Sequence, residues 1–513
     1  MNDSENDIRQ AGYRTGWRVL TIAGGSCFLV LQAIFLFQLA SVSPGENDKP
    51  DILLVTIDTL RADHCSLYGY GRATTPTMDR LAAQGVRFDN AYAPMATTAP
   101  SHATILTSLH PLAHGVIRNG FVLADEYETL AEMLKREGYV TAAFVSSFVL
   151  FNRFGCGQGY DEYDDDFTES ESTQQGADQW QGVAVPGGKV DRRADATTGR
   201  ALKWLESIRA TDNGQRRPVF MWVHYMDPHE PYVPPEALGD PFGACAMTPA
   251  GISRVIAQYD GEIAFTDAQL ERLVDQFEAR GGDAGALIVV TADHGEAFVE
   301  HGWRGHGPQI YEESVRVPLV IRWEGVIRAP KTVNSPVGLH DIVPTILGLI
   351  DATPSEGWFE GVDFSGAILQ TTSPDSRRPM FFQRRLYDEP GTVKPIPLRE
   401  FEGATFGRGI RVRGHKFGVR VGRWKYLEAL EEDIPRELYD LRADPAEQLN
   451  VAADHPDRVK SMSRLIAQWR QRQATLFRAD RIQEISPQDR AVLNALGYVD
   501  AEDGDANGKD ALP

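Results

Sequence analysis

The stretch Thr97-Thr98-Ala99-Pro100-Ser101-His102-Ala103-Thr104-Ile105-Leu106-Thr107-Ser108 groups hydroxyls and an imidazole in a pattern suited to chemistry. It reads as a loop closed by a proline, followed by a short helix whose first turn carries Ser101 and His102. A hydroxyl just ahead of a helix start faces free backbone N–H groups and the positive end of the helix dipole. That setting suits Thr98 as a nucleophile toward an anionic phosphate or sulfate ester. It equally suits Thr98 or Ser101 as a plain helix N-cap. The choice therefore depends on partners elsewhere in the chain.

Those partners stand at the ends of apolar runs. Residues 51–58, DILLVTID, form a run of strand length that ends in the carboxylate of Asp58. Continuous rather than alternating apolarity predicts a strand buried on both faces, as in a parallel sheet. Similar runs occur at Tyr139–Ser146, Pro218–His224, Ala286–Thr291 and Val317–Ile321. Helical patterns lie between and after them, at Glu126–Gly138, Ala194–Ile208, Tyr259–Ala279 and His340–Ile350. This alternation predicts a doubly wound α/β domain with a mostly parallel sheet sandwiched by helices. In open α/β sheets ligands gather beyond the carboxyl ends of the strands. Asp58, His224 and the pair Asp293-His294 each follow such a run, so residues distant in sequence are expected to meet.

Composition sets the frame for these elements. The 513 residues are 42% hydrophobic and 24% charged, a globular balance with material for a large core. The formal net charge of −20 argues against nucleic acid as a partner. It does not bar a small anionic substrate, because a local cation outweighs a distant field. Cys27, Cys65, Cys156 and Cys245 show no CxxC or Cys/His spacing, which speaks against a zinc cluster or a disulfide framework. Val19–Val42 is apolar and uncharged, and ~20 residues suffice to cross a bilayer. Arg9, Arg14 and Arg18 precede it, and Glu46, Asp48 and Asp51 follow. This asymmetry predicts a cytoplasmic tail at 1–18, a single-pass membrane anchor at 19–42, and export of all that follows to the periplasmic or extracellular side. A signal peptide cleaved at Ser41-Val42-Ser43 is the competing reading, although its apolar core would be shorter.

The exported part is expected to hold a catalytic α/β domain at 50–375, with a flexible, acidic and then Ser/Thr/Gln/Gly-rich insertion at 161–190. A C-terminal subdomain is expected at 376–480. There the alternation of Arg408–Val421, then Trp424–Leu427 and Glu437–Leu441, predicts a small antiparallel sheet, followed by a helix at Asp454–Phe477. Residues 481–513 read as a polar tail.

Five ordered motifs carry a family likeness. They are Asp58-Thr59-Leu60-Arg61-Ala62-Asp63-His64 with Tyr68-Gly69-Tyr70; Thr98-Ala99-Pro100-Ser101-His102; Thr291-Ala292-Asp293-His294-Gly295-Glu296; residues 311–319, YEESVRVPL; and Glu437–Leu441 with Asp444-Pro445-Ala446-Glu447 and Asn450. Over about residues 50–450 the chain resembles the sulfatase family of the alkaline phosphatase superfamily. The resemblance implies an alkaline phosphatase-like fold and a metal-dependent ester hydrolase or transferase. Several positions depart from the family pattern. Sulfatases oxidise a Cys or Ser to formylglycine where this chain has Thr98, and a threonine is not expected to be matured in this way. His102 replaces the arginine of the signature, Thr59 replaces a second aspartate, and Gly138–Ser147 lacks the lysine and histidine that bind sulfate.

What is left resembles the threonine branch of the superfamily, the phosphoethanolamine transferases and lipoteichoic acid synthases. By that likeness Asp58, Thr98, Asp293 and His294 hold one divalent metal, with Thr98 as nucleophile. The run His224-Tyr225-Met226-Asp227-Pro228-His229-Glu230-Pro231 and the pair His306-Gly307 match further histidine elements of that branch. A metal would lower the pKa of the threonine hydroxyl and orient it. Two carboxylates and an imidazole favour Zn²⁺ or Mn²⁺, with Ca²⁺ or Mg²⁺ admissible where water fills further positions. The expected reaction passes through a phospho- (or sulfo-) threonine, with phosphoester chemistry favoured. His229 and His306 bind the non-bridging oxygens and one protonates the leaving group, His224 helps to bind substrate, and His102 touches the same anion. The substrate is an anionic ester on a lipid head group, glycan or small molecule. The rival readings are a sulfuric ester hydrolase without formylglycine and a catalytically silent surface protein that binds glycans or lipids. Arg61, Asp63 and His64 are expected to tie down their loop, and Glu296, Glu300 and His301 to be supporting or surface residues.

Overall fold

The apolar run that ends in Asp58 forms strand β1 (Asp51–Ile57), an inner strand of an eight-stranded sheet. The structure is a computed structural model. It describes residues 49–168, 179–180, 183–184, 189–211, 216–236, 242, 251–282, 284–328, 330–353, 359–384, 387–392, 411–430, 435–477 and 485–495. The other strands of the sheet are β2 (Val86–Phe88), β3 (Val140–Phe144), β4 (Glu162–Asp164), β5 (Val219–Tyr225), β6 (Ala286–Ala292), β7 (Leu319–Trp323) and β8 (Lys331–Val333). Their order is β8-β2-β7-β6-β1-β5-β3-β4. β1 pairs in parallel with both β5 and β6, and β3 pairs in parallel with β5 and β4. β7 runs antiparallel to its neighbours β6 and β2.

Every residue of β1, β5 and β6 is buried. Successive strand side chains point to opposite faces, so both faces of the sheet are covered. The cover comes from helices α1 (Pro76–Ala83), α2 (Thr98–Thr107), α3 (Leu130–Arg136), α4 (Ala194–Thr211), α5 (Ile252–Glu278) and α6 (Ile342–Leu349). α5 packs against α4 and α1, while α2 packs against α3 and α6. The mixed α/β architecture is the one the sequence predicts.

Three local expectations change. α2 begins at Thr98, with Pro100 inside its first turn rather than ahead of it. A proline there loses no hydrogen bond, because the first turn's N–H groups have no intrahelical acceptor. β2 and β8 escape a periodicity reading because three residues are too few to show a pattern. Within the expected insertion at 161–190, Glu162–Asp164 forms the edge strand β4, and Asp164 pairs with Arg192 at 2.6 Å.

The C-terminal antiparallel sheet is present as β9 (Met380–Gln383), β10 (Lys416–Val421), β11 (Trp424–Ala429) and β12 (Glu437–Asp440), in that order. Helix α7 (Pro456–Leu476) lays Val459, Met462, Ile466 and Trp469 on Phe417, Val419, Tyr426 and Leu438. Leu112 and Ile117, which follow α2 in the chain, join the same cluster. Among the described residues no helix is long and apolar enough to cross a membrane. The tail and anchor expected at 1–18 and 19–42 lie outside the described residues, as does most of 481–513.

His114 fastens the segment after α2. Its Nδ1 accepts the Val116 N–H at 3.1 Å, which leaves its Nε2–H to donate to Thr104 Oγ1 at 3.1 Å. Burial pushes its pKa down to about 3. The unfolded chain takes up this proton near pH 6.5 and the folded chain does not, so stability falls as pH drops below 6.5. We expect His114→Gln to flatten that fall by roughly 2 kcal/mol between pH 6.5 and 5, read from urea unfolding of both proteins at each pH. An equal pH slope in the two proteins would reject this account.

Candidate active site and metal centre

Asp58 follows β1 and Asp293-His294 follows β6, and because these strands are adjacent and parallel, their carboxyl ends deliver both groups to one place. Ligand atoms of Asp58, Asp293 and His294 all lie within 4.8 Å of one another, and the three side chains are fully buried. His294 Nε2 stands 3.7 Å from Asp58 Oδ1 and 3.4 Å from Asp293 Oδ2. Thr98, the first residue of α2, brings its hydroxyl to 3.4 Å from the same nitrogen. All four residues expected to hold a metal thus lie together.

A cation fits the groups present. Neither oxygen of Asp58 accepts a well-aligned hydrogen bond, nor does Asp293 Oδ2, although all three atoms are buried; the Thr98 hydroxyl and His224 Nε2 stand near Asp58 without satisfying it. Orphaned buried carboxylate oxygens are costly and rare unless an ion satisfies them. Burial pushes the Asp58 carboxyl above its ordinary range against the pull of His229 and His294. Burial and then the charge of Asp58 do the same to Asp293. Burial would lower His294, but Asp293 and Asp58 outweigh it and hold the imidazole above its usual value. The site is starved of positive charge.

The supporting backbone is strained where it holds Asp293. Thr59 adopts φ +56°, a left-handed conformation that a β-branched residue rarely takes. In that pose its N–H donates to Asp293 Oδ1 at 3.2 Å, and its carbonyl accepts the Tyr259 hydroxyl at 2.6 Å. The second N–H on Asp293 Oδ1 comes from His294 at 2.8 Å. Gly295 follows because a Cβ there would collide with the Glu313 carbonyl oxygen.

The remaining histidines separate into two groups. His229 and His306 stack edge to face at 5.0 Å between ring centroids, and His306 lies 4.6 Å from the His294 ring. The side chain of His306 is 15% exposed and is the open member of the group. His224 accepts the Ser146 N–H on Nδ1 at 3.3 Å, which places its Nε2–H 3.5 Å from Asp58 Oδ2. His102 is held by protein groups on both ring nitrogens. Its Nδ1 lies 2.8 Å from the Thr98 carbonyl and its Nε2 3.0 Å from Thr56 Oγ1, so both nitrogens are engaged. Burial pushes its pKa down to about 3, leaving it neutral.

The helix start is also less open than the sequence implies. Asn119 Oδ1 accepts the Ala99 N–H at 2.9 Å, Pro100 has no N–H, and the Ser101 N–H bonds back to the Thr97 carbonyl at 3.2 Å. The first turn therefore keeps little beyond the N–H of Thr98 for an anion. Asn119 carried no motif that would single it out. Of the two readings given for Glu296, supporting or surface, the buried one holds: it is fully buried, 3.4 Å from His306 Nδ1. Burial raises its pKa, against His229 and His294. Arg61 pairs with Asp63 and Glu300 and cannot serve the anion, while His64 bonds Asp260 at 2.7 Å; both tie down the loop as expected.

The sulfatase family profile matches residues 50–352 of the chain. The ulvan-active sulfatase of Formosa agariphila is 26% identical over 439 residues, covering 79% of this chain and 78% of that protein. Human arylsulfatase A is 26% identical over 463 residues, covering 81% and 87%. Among solved structures, one described in complex with its substrate D-glucosamine-2-N,6-O-disulfate superposes with a TM-score of 0.66 at 20% identity, covering 83% of this chain and 99% of that one. The phosphonate monoester hydrolase of Agrobacterium radiobacter gives 0.64 at 23% identity, covering 83% and 96%.

Proposed function

The chain belongs to the sulfatase family of ester hydrolases, and on that premise we propose that it is a metal-dependent hydrolase or transferase in which Thr98 attacks a phosphate ester. The observation that carries the reading is the Thr98 hydroxyl, 3.4 Å from His294 Nε2 beside the orphaned oxygens of Asp58 and Asp293. A divalent cation held by Asp58, Asp293 and His294 supplies, when bound, the positive charge that makes a threonine hydroxyl nucleophilic at neutral pH. Thr98 Oγ1, its proton released to water, then bonds phosphorus in line as the bond to the leaving alkoxide breaks, giving a phosphothreonine. His229 hydrogen-bonds the non-bridging oxygens, and the more open His306 protonates the leaving oxygen. Water or a second alcohol takes the phosphoryl group from Thr98 in the return step.

Phosphoester chemistry is favoured over sulfate because Thr98 stands where formylglycine would be and His102 supplies no charge in place of the signature arginine. The names of the relatives keep sulfate esters, on saccharides in particular, as the alternative. Buried carboxylate oxygens without well-aligned hydrogen bonds count against a catalytically silent surface protein. We also propose that the catalytic part lies outside the membrane, from the charge asymmetry around residues 19–42.

The deciding experiment gives purified protein paired aryl sulfate, phosphate monoester and phosphodiester substrates, with and without EDTA, and measures its metal content. We expect phosphoester turnover that EDTA abolishes and a divalent metal restores. A quenched reaction should show phosphothreonine at residue 98 by mass spectrometry. Sulfate turnover alone, with no label at Thr98, would overturn the reading.

A further inference from the structure

Three buried side chains tie the backbone of Thr98 to the central sheet. Trp222 on β5, Thr56 on β1 and His102 on α2 are each fully buried. Trp222 Nε1 lies 3.0 Å from Thr56 Oγ1, and Thr56 Oγ1 lies 3.0 Å from His102 Nε2. His102 Nδ1 lies 2.8 Å from the Thr98 carbonyl oxygen. The direction of each bond follows from what the groups can do. An indole N–H only donates and a carbonyl oxygen only accepts. Thr56 therefore accepts from Trp222, and His102 Nδ1 must carry a proton, since the other tautomer would set two lone pairs against each other at 2.8 Å. A neutral imidazole protonated on Nδ1 has a bare Nε2, which accepts the remaining Thr56 hydrogen. The same Nδ1 lies 3.7 Å from Asp293 Oδ2, so the ring bridges the nucleophile's backbone and a metal-site carboxylate.

We propose that Trp222 and Thr56 are positioning residues that lock His102 as its Nδ1–H tautomer, whose N–H holds Thr98 in register with Asp293. His102 sits edge-on to His224 at 4.9 Å and against Trp222 at 5.5 Å, so the ring has neighbours that fix its plane as well as its hydrogen bonds. The kinetic consequence rests on Thr98 being the nucleophile, whereas the tautomer does not.

The test labels histidine with ¹⁵N and reads ring nitrogens by NMR at pH 7.5, with His102 assigned by its loss in His102→Gln. We expect a proton on Nδ1 and none on Nε2. In Thr56→Val the His102 Nε2 resonance should move, and kcat on the aryl ester that the wild type turns over fastest should fall ~10-fold or more with KM within about twofold. Thr56→Ser should restore both. Should Thr56→Val not fold, Trp222→Phe removes the donor that heads the chain and carries the same two readouts. A proton on Nε2, or His102 resonances and kcat unmoved in the folded variant, would overturn the proposal. A wild type without activity on any ester would defeat the assigned function, while the tautomer would still decide the hydrogen-bond chain.

Discussion

Thr98→Ala should lower turnover by about 10⁴-fold or more, while Thr98→Ser stays within about tenfold of the wild type. Loss of a covalent nucleophile removes the pathway rather than weakening it, and ~10⁴-fold corresponds to about 5.5 kcal/mol of barrier. The fold should tolerate the change. Thr98 is the first residue of α2, alanine is the better helix former, and the Thr98 side chain caps nothing. Asp58, Asp293 and His294 remain in place, so the protein should still take up metal, more weakly for want of the Thr98 hydroxyl, as elemental analysis across a metal titration would show. Thr98→Ala should also show no phosphorylated residue after a quenched reaction. A Thr98→Ala protein that turns over substrate near the wild-type rate would mean that the hydroxyl is only a neighbour of the site.

The second large effect is on stability and arises far from Thr98 in sequence. Lys425 on β11 is fully buried, with Nζ 3.0 Å from Glu312 Oε1 and 3.1 Å from Glu447 Oε1. Glu447 in turn accepts the Glu312 N–H at 2.6 Å. Lys425→Met keeps the packing but strands two carboxylates, and should cost about 3–5 kcal/mol in urea unfolding at pH 8. Burial pushes the Glu447 pKa up to about 7, against the pull of Lys425. Lys425→Met removes the charge that pulls both Glu447 and Glu312 down, so both carboxyls rise further in the folded variant and their ionisation costs it more stability as pH rises. The deficit of Lys425→Met should therefore be largest above pH 7 and shrink toward pH 5. Adding Glu447→Gln should recover part of it. A deficit independent of pH would point to packing instead. Activity should suffer alongside, because Glu312 and Glu313 belong to the short helical turn Glu312–Val315 that holds Gly295, and Gly295 donates its N–H to the Ser314 carbonyl at 2.9 Å.

Several site residues were legible because chemistry and chain geometry coincide in them. Asp58 and Asp293 end continuous apolar runs, and a strand buried on both faces must deliver its next residue to the edge of the sheet. Thr98 showed itself as a hydroxyl at a helix start within a signature that otherwise matches a family pattern. His102 shows what spacing leaves open. Spacing places it one turn after Thr98 on the same helix side, but no spacing reveals that Thr56 on a distant strand takes its second nitrogen. Asn119 and Tyr259 were silent because their contacts to Ala99 and Thr59 join segments with no pattern in common.

By itself the sequence determined a mostly parallel α/β domain and the acid and imidazole groups that its strands deliver. These follow from local rules, in which side-chain type and apolar continuity decide strand, helix and end. Only the tertiary structure decided which donors and acceptors are already spent. It closed the first turn of α2 with Asn119, turned His102 toward Thr56 and the Thr98 backbone, and left the oxygens of Asp58 without a well-aligned hydrogen bond. A hydrogen bond is satisfied by whatever lies within 3 Å in space, and that neighbour can be any distance away along the chain.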